Sequence, residues 1–212
     1  VSASNVYSRK PYAIRMMDKS KEDCTFTMIN DIHGRDSMML ALTKDVKSQN
    51  PDFMVFNGDM VSFMGSTEDI ETGFMTRATE TFATDIPLVY VRGNHETRGP
   101  GFSEYLNLFP TPTNTPYFTF RQGPVAFVVL DSGEDKPDNY IHNDPKHQYN
   151  GMPVYNGANI FERFRRRETE FLKSVIDNAE SEYLADGVEY RLVISHNPFT
   201  HTPNPPFDIE ID

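Results

Sequence analysis

A single cysteine, Cys24, is present in 212 residues. No internal disulfide can form, and the redox compartment is left open. Cys24 begins the apolar run Cys-Thr-Phe-Thr-Met-Ile, the setting of a buried, inert thiol. No apolar run approaches the roughly 20 residues of a membrane-spanning helix. Cations are scarce as well: 20 Lys and Arg stand against 31 Asp and Glu, a formal net charge of -11. That balance argues against a sequence-independent nucleic-acid binder, whose affinity rests on Lys and Arg facing phosphate. Neither Gly-x-Gly-x-x-Gly nor Gly-Lys-Ser/Thr occurs, which disfavours the familiar dinucleotide and P-loop sites. Internal repeats and low-complexity tracts are absent. The chain opens at Val1 rather than Met, so an upstream segment is expected, removed or outside this sequence. Periplasmic, secreted and cytoplasmic settings all stay open.

With 38% hydrophobic and 24% charged residues, the chain can bury a sizeable core in one domain over residues 1–212. Two adjacent strands are expected at 12–18 and 24–30. Residues 37–48 carry Met38, Leu42 and Val46 at helical spacing. A strand follows at 53–56. A second helix is expected at 68–84, with Ile70, Phe74, Met75 and Phe82 inward, then a strand at 88–92. This β-α-β-α-β rhythm favours parallel strands covered by helices. Residues 97–116 read as loop. Residues 117–121 and 125–131 flank Gln-Gly-Pro and read as a hairpin of a second sheet. A long irregular stretch spans 133–159, and loops of that length are usually functional or mobile. A helix is expected at 161–178, with Arg163, Arg165, Arg166 and Arg167 on its solvated face, and a last strand at 190–195.

Four polar motifs punctuate this pattern: Asn-Asp-Ile-His-Gly at 30–34, Asn-Gly-Asp at 57–59, Arg-Gly-Asn-His-Glu at 92–96 and Ser-His-Asn-Pro at 195–198. Each lies at or just after an expected strand end, where α/β proteins place their chemistry. Asp31 and His33 are two apart, so both can face one ion. Asp59 offers two carboxylate oxygens and can face two cations. Asn94 and His196 add an amide oxygen and an imidazole nitrogen. His95, adjacent to Asn94, is expected to point elsewhere, toward substrate. Any one motif alone is an ordinary polar turn. Their conjunction points to two hard or borderline divalent ions such as Mn, Fe, Zn, Ni or Mg.

Together these motifs resemble the calcineurin-like metallophosphoesterase superfamily, which includes the Ser/Thr phosphatases and the purple acid phosphatases. The resemblance spans about residues 24–200. It implies a four-layer α/β/β/α sandwich of two mixed sheets. It also implies hydrolysis of phosphoesters by a metal-activated hydroxide, acting on a small phosphorylated substrate or a phosphoprotein. Asp31 and His33 would hold the first ion, Asp59 would bridge, and Asn94 and His196 would hold the second. His95 would assist the leaving group, and Arg92 resembles a phosphate-binding arginine.

The pattern departs from the family twice. The closing Gly-His-x-His is absent, so the chain is expected to be truncated at its C-terminus relative to the family. His201 is expected to be a loop residue and not a replacement ligand. Ser62 stands where purple acid phosphatases have a ligating tyrosine and Ser/Thr phosphatases have the aspartate that orients the catalytic histidine. A redox-active ferric site is therefore not expected, and the group that orients His95 is left open. A nuclease of the same superfamily and a catalytically inactive scaffold are the alternatives. Arg98, residues 110–116 and residues 133–160, with His142, His147, Tyr149 and Tyr155, are candidates for contacting substrate.

Overall fold

The computed structural model describes residues 15–135 and 161–198. Strand β1 (Phe26–Ile29) leads to helix α1 (Asp36–Thr43) and the short helix α2 (Val46–Gln49). Strand β2 (Phe53–Asn57) is followed by α3 (Thr67–Ile70), one π-helical turn (Glu71–Met75), α4 (Thr76–Thr81) and β3 (Leu88–Val91). The second half holds α5 (Tyr105–Leu108), β4 (Phe118–Gln122), β5 (Val125–Val129), α6 (Glu162–Asp177) and β6 (Tyr190–Ile194). No described helix is long and apolar enough to cross a membrane.

The strands form two sheets, ordered β1-β2-β3 and β4-β5-β6. Side-chain alternation along β2 explains how they stack. Phe53 and Val55 pack with Val89 and Val91 of β3 and with Phe118, Phe127 and Val129 of the second sheet. Met54 and Phe56 point the other way, into a core with Met39, Ile70, Phe74, Ala78 and Phe82. Val128 of β5 faces away from the sheet interface, with Val175 and Phe171 of α6. Successive residues of a strand face opposite sides, so both sheets are buried on two faces, and the order of layers is α/β/β/α. The first sheet is parallel throughout among the described strands, because helical crossovers join its members. Only the second is mixed: β4 and β5 form the expected hairpin, and β6 runs parallel to β5.

Several expectations are corrected in detail. Residues 15–18 form no strand, and 12–14 lie outside the described residues. Arg15 instead donates to the Pro51 carbonyl at 2.6 Å. The helix expected at 37–48 breaks at Asp45, a residue type that competes with helical backbone bonds, and α2 ends in left-handed Asn50. The helix at 68–84 ends by Thr81 and carries the π turn, which includes Gly73. Residues 97–116 contain a 3₁₀ turn (Pro100–Glu104) and α5. The arginines of α6 do not all face solvent. Arg165 donates to the carbonyls of Ser132 at 2.9 Å and Glu134 at 2.7 Å. Glu168 shares the buried face of that helix and accepts the Asp131 backbone N–H. Ile176, on the same helix, is exposed.

This architecture fixes where the polar motifs meet. The parallel register pairs Ile29 with Phe56 and Asn57 with Val91, so the carboxyl ends of β1, β2 and β3 are level. Ile194 pairs with Val129, which brings the end of β6 to the same rim.

Candidate metal centre

Each turn at this rim is locked before its side chains are placed. The turn after β1 is laced to the turn after β2: Asp31 N–H donates to the Gly58 carbonyl at 3.1 Å, His33 N–H to Asp59 at 3.0 Å and Gly34 N–H to Met60 at 2.8 Å. These contacts hold Asp31, His33 and Asp59 in the left-handed backbone region, at φ 57°, 52° and 55°. Non-glycine residues occupy that region at a cost, and such residues cluster at functional sites. Gly58 and Gly93 permit the close approach. A Cβ on Gly58 would lie 2.6 Å from the His196 ring and 2.7 Å from the Gly93 Cα, and one on Gly93 would strike Asp59.

The side chains converge on one atom. Asp59 Oδ2 lies 3.3 Å from His196 Nε2, 3.7 Å from His95 Nε2 and 3.9 Å from His33 Nε2. Asp31 Oδ1 is 3.7 Å from His33 Nε2. Two groups suited to holding a metal ion result, His33–Asp59–His95 and Asp31–Asp59–His196, with Asp59 common to both. Asp59 is buried, and its Oδ1 accepts the His95 backbone N–H at 2.9 Å.

Electrostatics follow from that convergence. Burial and the neighbouring His95 lower the His33 pKa, which favours the neutral, ligand-competent imidazole. His196 moves the opposite way. Burial opposes its charge, but the hydrogen bond and charge of Asp59 prevail and push it up to about 9. Its Nδ1 is 2.7 Å from the Asn57 carbonyl, which turns Nε2 toward Asp59. Burial raises Asp59, yet the His196 hydrogen bond and charge hold it below the usual carboxylate range.

Donors of this kind, two carboxylates and three imidazoles gathered in two groups that share Asp59, fit divalent cations. The chain matches the family described as calcineurin-like phosphoesterase over residues 24–209. It belongs to that family. Membership implies divalent metal ions, and the cluster supplies a candidate group to hold them. Within the calcineurin-like phosphoesterases, the chain is similar to Serine/threonine-protein phosphatase CPPED1 of Mus musculus, 36% identical over 84 residues. That match covers 39% of this chain and 27% of the mouse protein. The Bos taurus protein of the same name is 36% identical over 89 residues. The chain thus spans 27% of the length of the curated relatives it matches. A dimetal phosphatase from Danio rerio aligns over 87% of this chain and 73% of its own, at 15% identity and a TM-score of 0.48.

The structure brings together Asp31, His33, Asp59, His95 and His196. His95 falls inside the cluster and not away from it, with its ring edge-on to His33 at 4.6 Å. Adjacency to Asn94 does not send it elsewhere, because a 3₁₀ turn (His95–Thr97) starts at that point. Asn94 is buried at the same turn, and its Nδ2 is 3.4 Å from Glu134 Oε1. Arg92 is sequestered. Its Nε donates to buried Asp131 at 2.6 Å and its guanidinium lies against Tyr105 and Phe164. The Ser62 carbonyl lies 2.8 Å from His95 Nδ1, so a main-chain oxygen orients the ring where the Ser/Thr phosphatase pattern has a carboxylate. His142, His147, Tyr149, Tyr155 and His201 lie outside the described residues.

One residue of the site was missed by sequence reasoning. Glu96 is fully buried and accepts five hydrogen bonds: from the backbone N–H groups of Asp59, Met60, Val61 and Gly93, and from the Tyr90 hydroxyl at 2.7 Å. It staples the Asp59 turn to the Asn94 turn. Burial, then the charge of Asp59, raises its pKa. The available signal was a glutamate directly after Asn-His, three residues past a glycine, which is also the pattern of a plain helix cap.

Proposed function

We propose that the chain hydrolyses phosphoesters at a site holding two divalent cations. The observation that carries the proposal is the approach of His33 Nε2 and His196 Nε2 to a single carboxylate oxygen of Asp59, with Asp31 Oδ1 beside His33 Nε2. Asp31, His33, Asp59, Asn94 and His196 would hold the ions. When bound, such ions shield phosphate charge and lower the pKa of a water so that hydroxide is available near neutral pH.

The protein's own groups do the rest. Asp59 is pinned through Oδ1 and by Glu96 behind its backbone, so it meets the ions without rearranging. His95 is reserved for the leaving group. The Ser62 carbonyl holds its Nδ1–H, and Nη1 of Arg98 lies 2.8 Å from its Nε2 and 3.3 Å from its Nδ1, against the imidazole. The charged form of His95 can then deliver a proton from Nε2 to the departing oxygen. A small phosphorylated molecule or a phosphoprotein is the substrate class.

The test is steady-state hydrolysis of p-nitrophenyl phosphate by the full-length protein with Mn²⁺, alongside metal content. Asp59→Ala is expected to lose bound metal and activity together. His95→Ala is expected to retain metal and lose roughly 10²–10⁴-fold in kcat. Wild-type turnover in both variants would refute the proposal.

A further inference from the structure

Arg98 is held more tightly than a surface arginine has reason to be. Its Nε and Nη2 donate to the two oxygens of Glu134 at 2.7 and 2.6 Å, a bidentate pair with a buried carboxylate. Nη2 also meets Asp135 Oδ1 at 3.4 Å. Its main chain is fixed as well: the N–H donates to the His95 carbonyl at 3.1 Å, and the carbonyl accepts from Met64 at 2.8 Å. Glu134 is anchored from a third direction, since Arg165 of α6 bonds its carbonyl at 2.7 Å. Among the described residues the one nitrogen not spent on carboxylates is Nη1, which lies 2.8 Å from His95 Nε2 and 3.3 Å from His95 Nδ1.

We propose that Arg98 receives a phosphoryl oxygen of the substrate beside His95, with Glu134 as the clamp that presents it. The inference rests on the phosphoesterase reading and deepens it. A guanidinium has five N–H donors in a rigid planar fork. Among the described residues three are used on Glu134 and Asp135, and the two on Nη1 are left beside the His95 ring, 2.8 Å from Nε2 and 3.3 Å from Nδ1. An oxygen arriving at Nη1 lies within reach of the very ring nitrogen assigned to the leaving group. The carboxylate clamp has already ordered the side chain, so binding does not have to freeze a long flexible arginine. Arg92, the arginine expected from the sequence to do this work, is engaged with Asp131 between two aromatic rings.

The alternative role, a brace that merely holds His95, predicts different kinetics. The experiment measures inhibition by inorganic phosphate and the kcat and KM for p-nitrophenyl phosphate on the Mn²⁺-loaded full-length protein. Phosphate binding is also read directly by calorimetry, which needs no turnover. Arg98→Ala is expected to weaken phosphate binding roughly 10- to 100-fold, the worth of a charge-assisted contact, with metal content unchanged. Arg98→Lys keeps charge without the fork and should fall between. Glu134→Gln should weaken phosphate in the same direction. Thermal melts establish that each variant is folded, and Arg98→Lys carries the test where alanine is not tolerated. Undiminished phosphate affinity in folded Arg98 variants, with only kcat lowered, overturns the assignment in favour of the brace. A wild-type protein that holds metal yet neither binds phosphate nor turns over substrate overturns the phosphoesterase reading itself.

Discussion

Glu96→Gln would take one charge and one acceptor oxygen from a fully buried group that now satisfies five donors. Oε2 accepts from Asp59 and Gly93, and Oε1 from Met60, Val61 and Tyr90. A carboxamide must turn its NH₂ toward one of these sets, so at least two buried N–H groups would face another donor. Each buried group left unsatisfied costs about 1–3 kcal/mol. Removing a buried charge offsets part of that. A net loss of about 2–4 kcal/mol is expected, which for a chain of this size lowers the melting temperature by roughly 5–15 °C. The damage falls on the turns that carry Asp59 and Asn94, so metal content should drop before the global fold is lost. Urea or thermal melts with metal analysis supply the measurement. Tyr90→Phe is the control, since it removes one donor and leaves the carboxylate intact, and it should cost no more than about 1.5 kcal/mol. A Glu96→Gln protein within about 1 kcal/mol of wild type, with full metal content, would refute the staple.

Two further outcomes follow from the buried titratable groups. His196 keeps its proton up to about 9 in the metal-free protein, so Mn²⁺ binding at neutral pH should release about one proton and tighten as pH rises toward 9; calorimetry in buffers of different ionisation enthalpy reads this, and zero release would contradict it. Glu168 is pushed up to about 9 by burial and the charge of Asp131, so its contribution to stability is complete below about 4.5 and is lost as pH rises through that window; Glu168→Gln should flatten the decline, and an equally steep decline in the variant would sink the linkage.

Much of the rim was legible in the chain. The strands ending near Asn30, Asn57 and Val91 were expected from apolar runs bounded by polar turns. The residues after them, Asp31, His33, Asp59 and Asn94, were singled out because their side chains are of the kinds that bind divalent ions. The detail of helices was less legible. The π turn around Gly73 lies where that helical segment packs beside α1, and local periodicity does not report that. Arg165 and Glu168 were hidden for a related reason: polar residues on the inner face of α6 are stabilised by backbone groups of 131–134, more than thirty residues distant.

The sequence alone named most of the side chains that meet at the rim. Side-chain chemistry and strand-end spacing are local properties, and they sufficed to name the candidate ligands, the family and the layered α/β expectation. Only the tertiary structure decided which groups touch. The convergence on Asp59 Oδ2, the Glu96 staple, the Ser62 carbonyl on His95 and the Glu134 clamp on Arg98 all involve partners brought together by the level carboxyl ends of strands from two sheets. Hydrogen bonds and ion pairs act over a few ångströms, and that proximity is created by sheet register and core packing, which no short stretch of residues encodes.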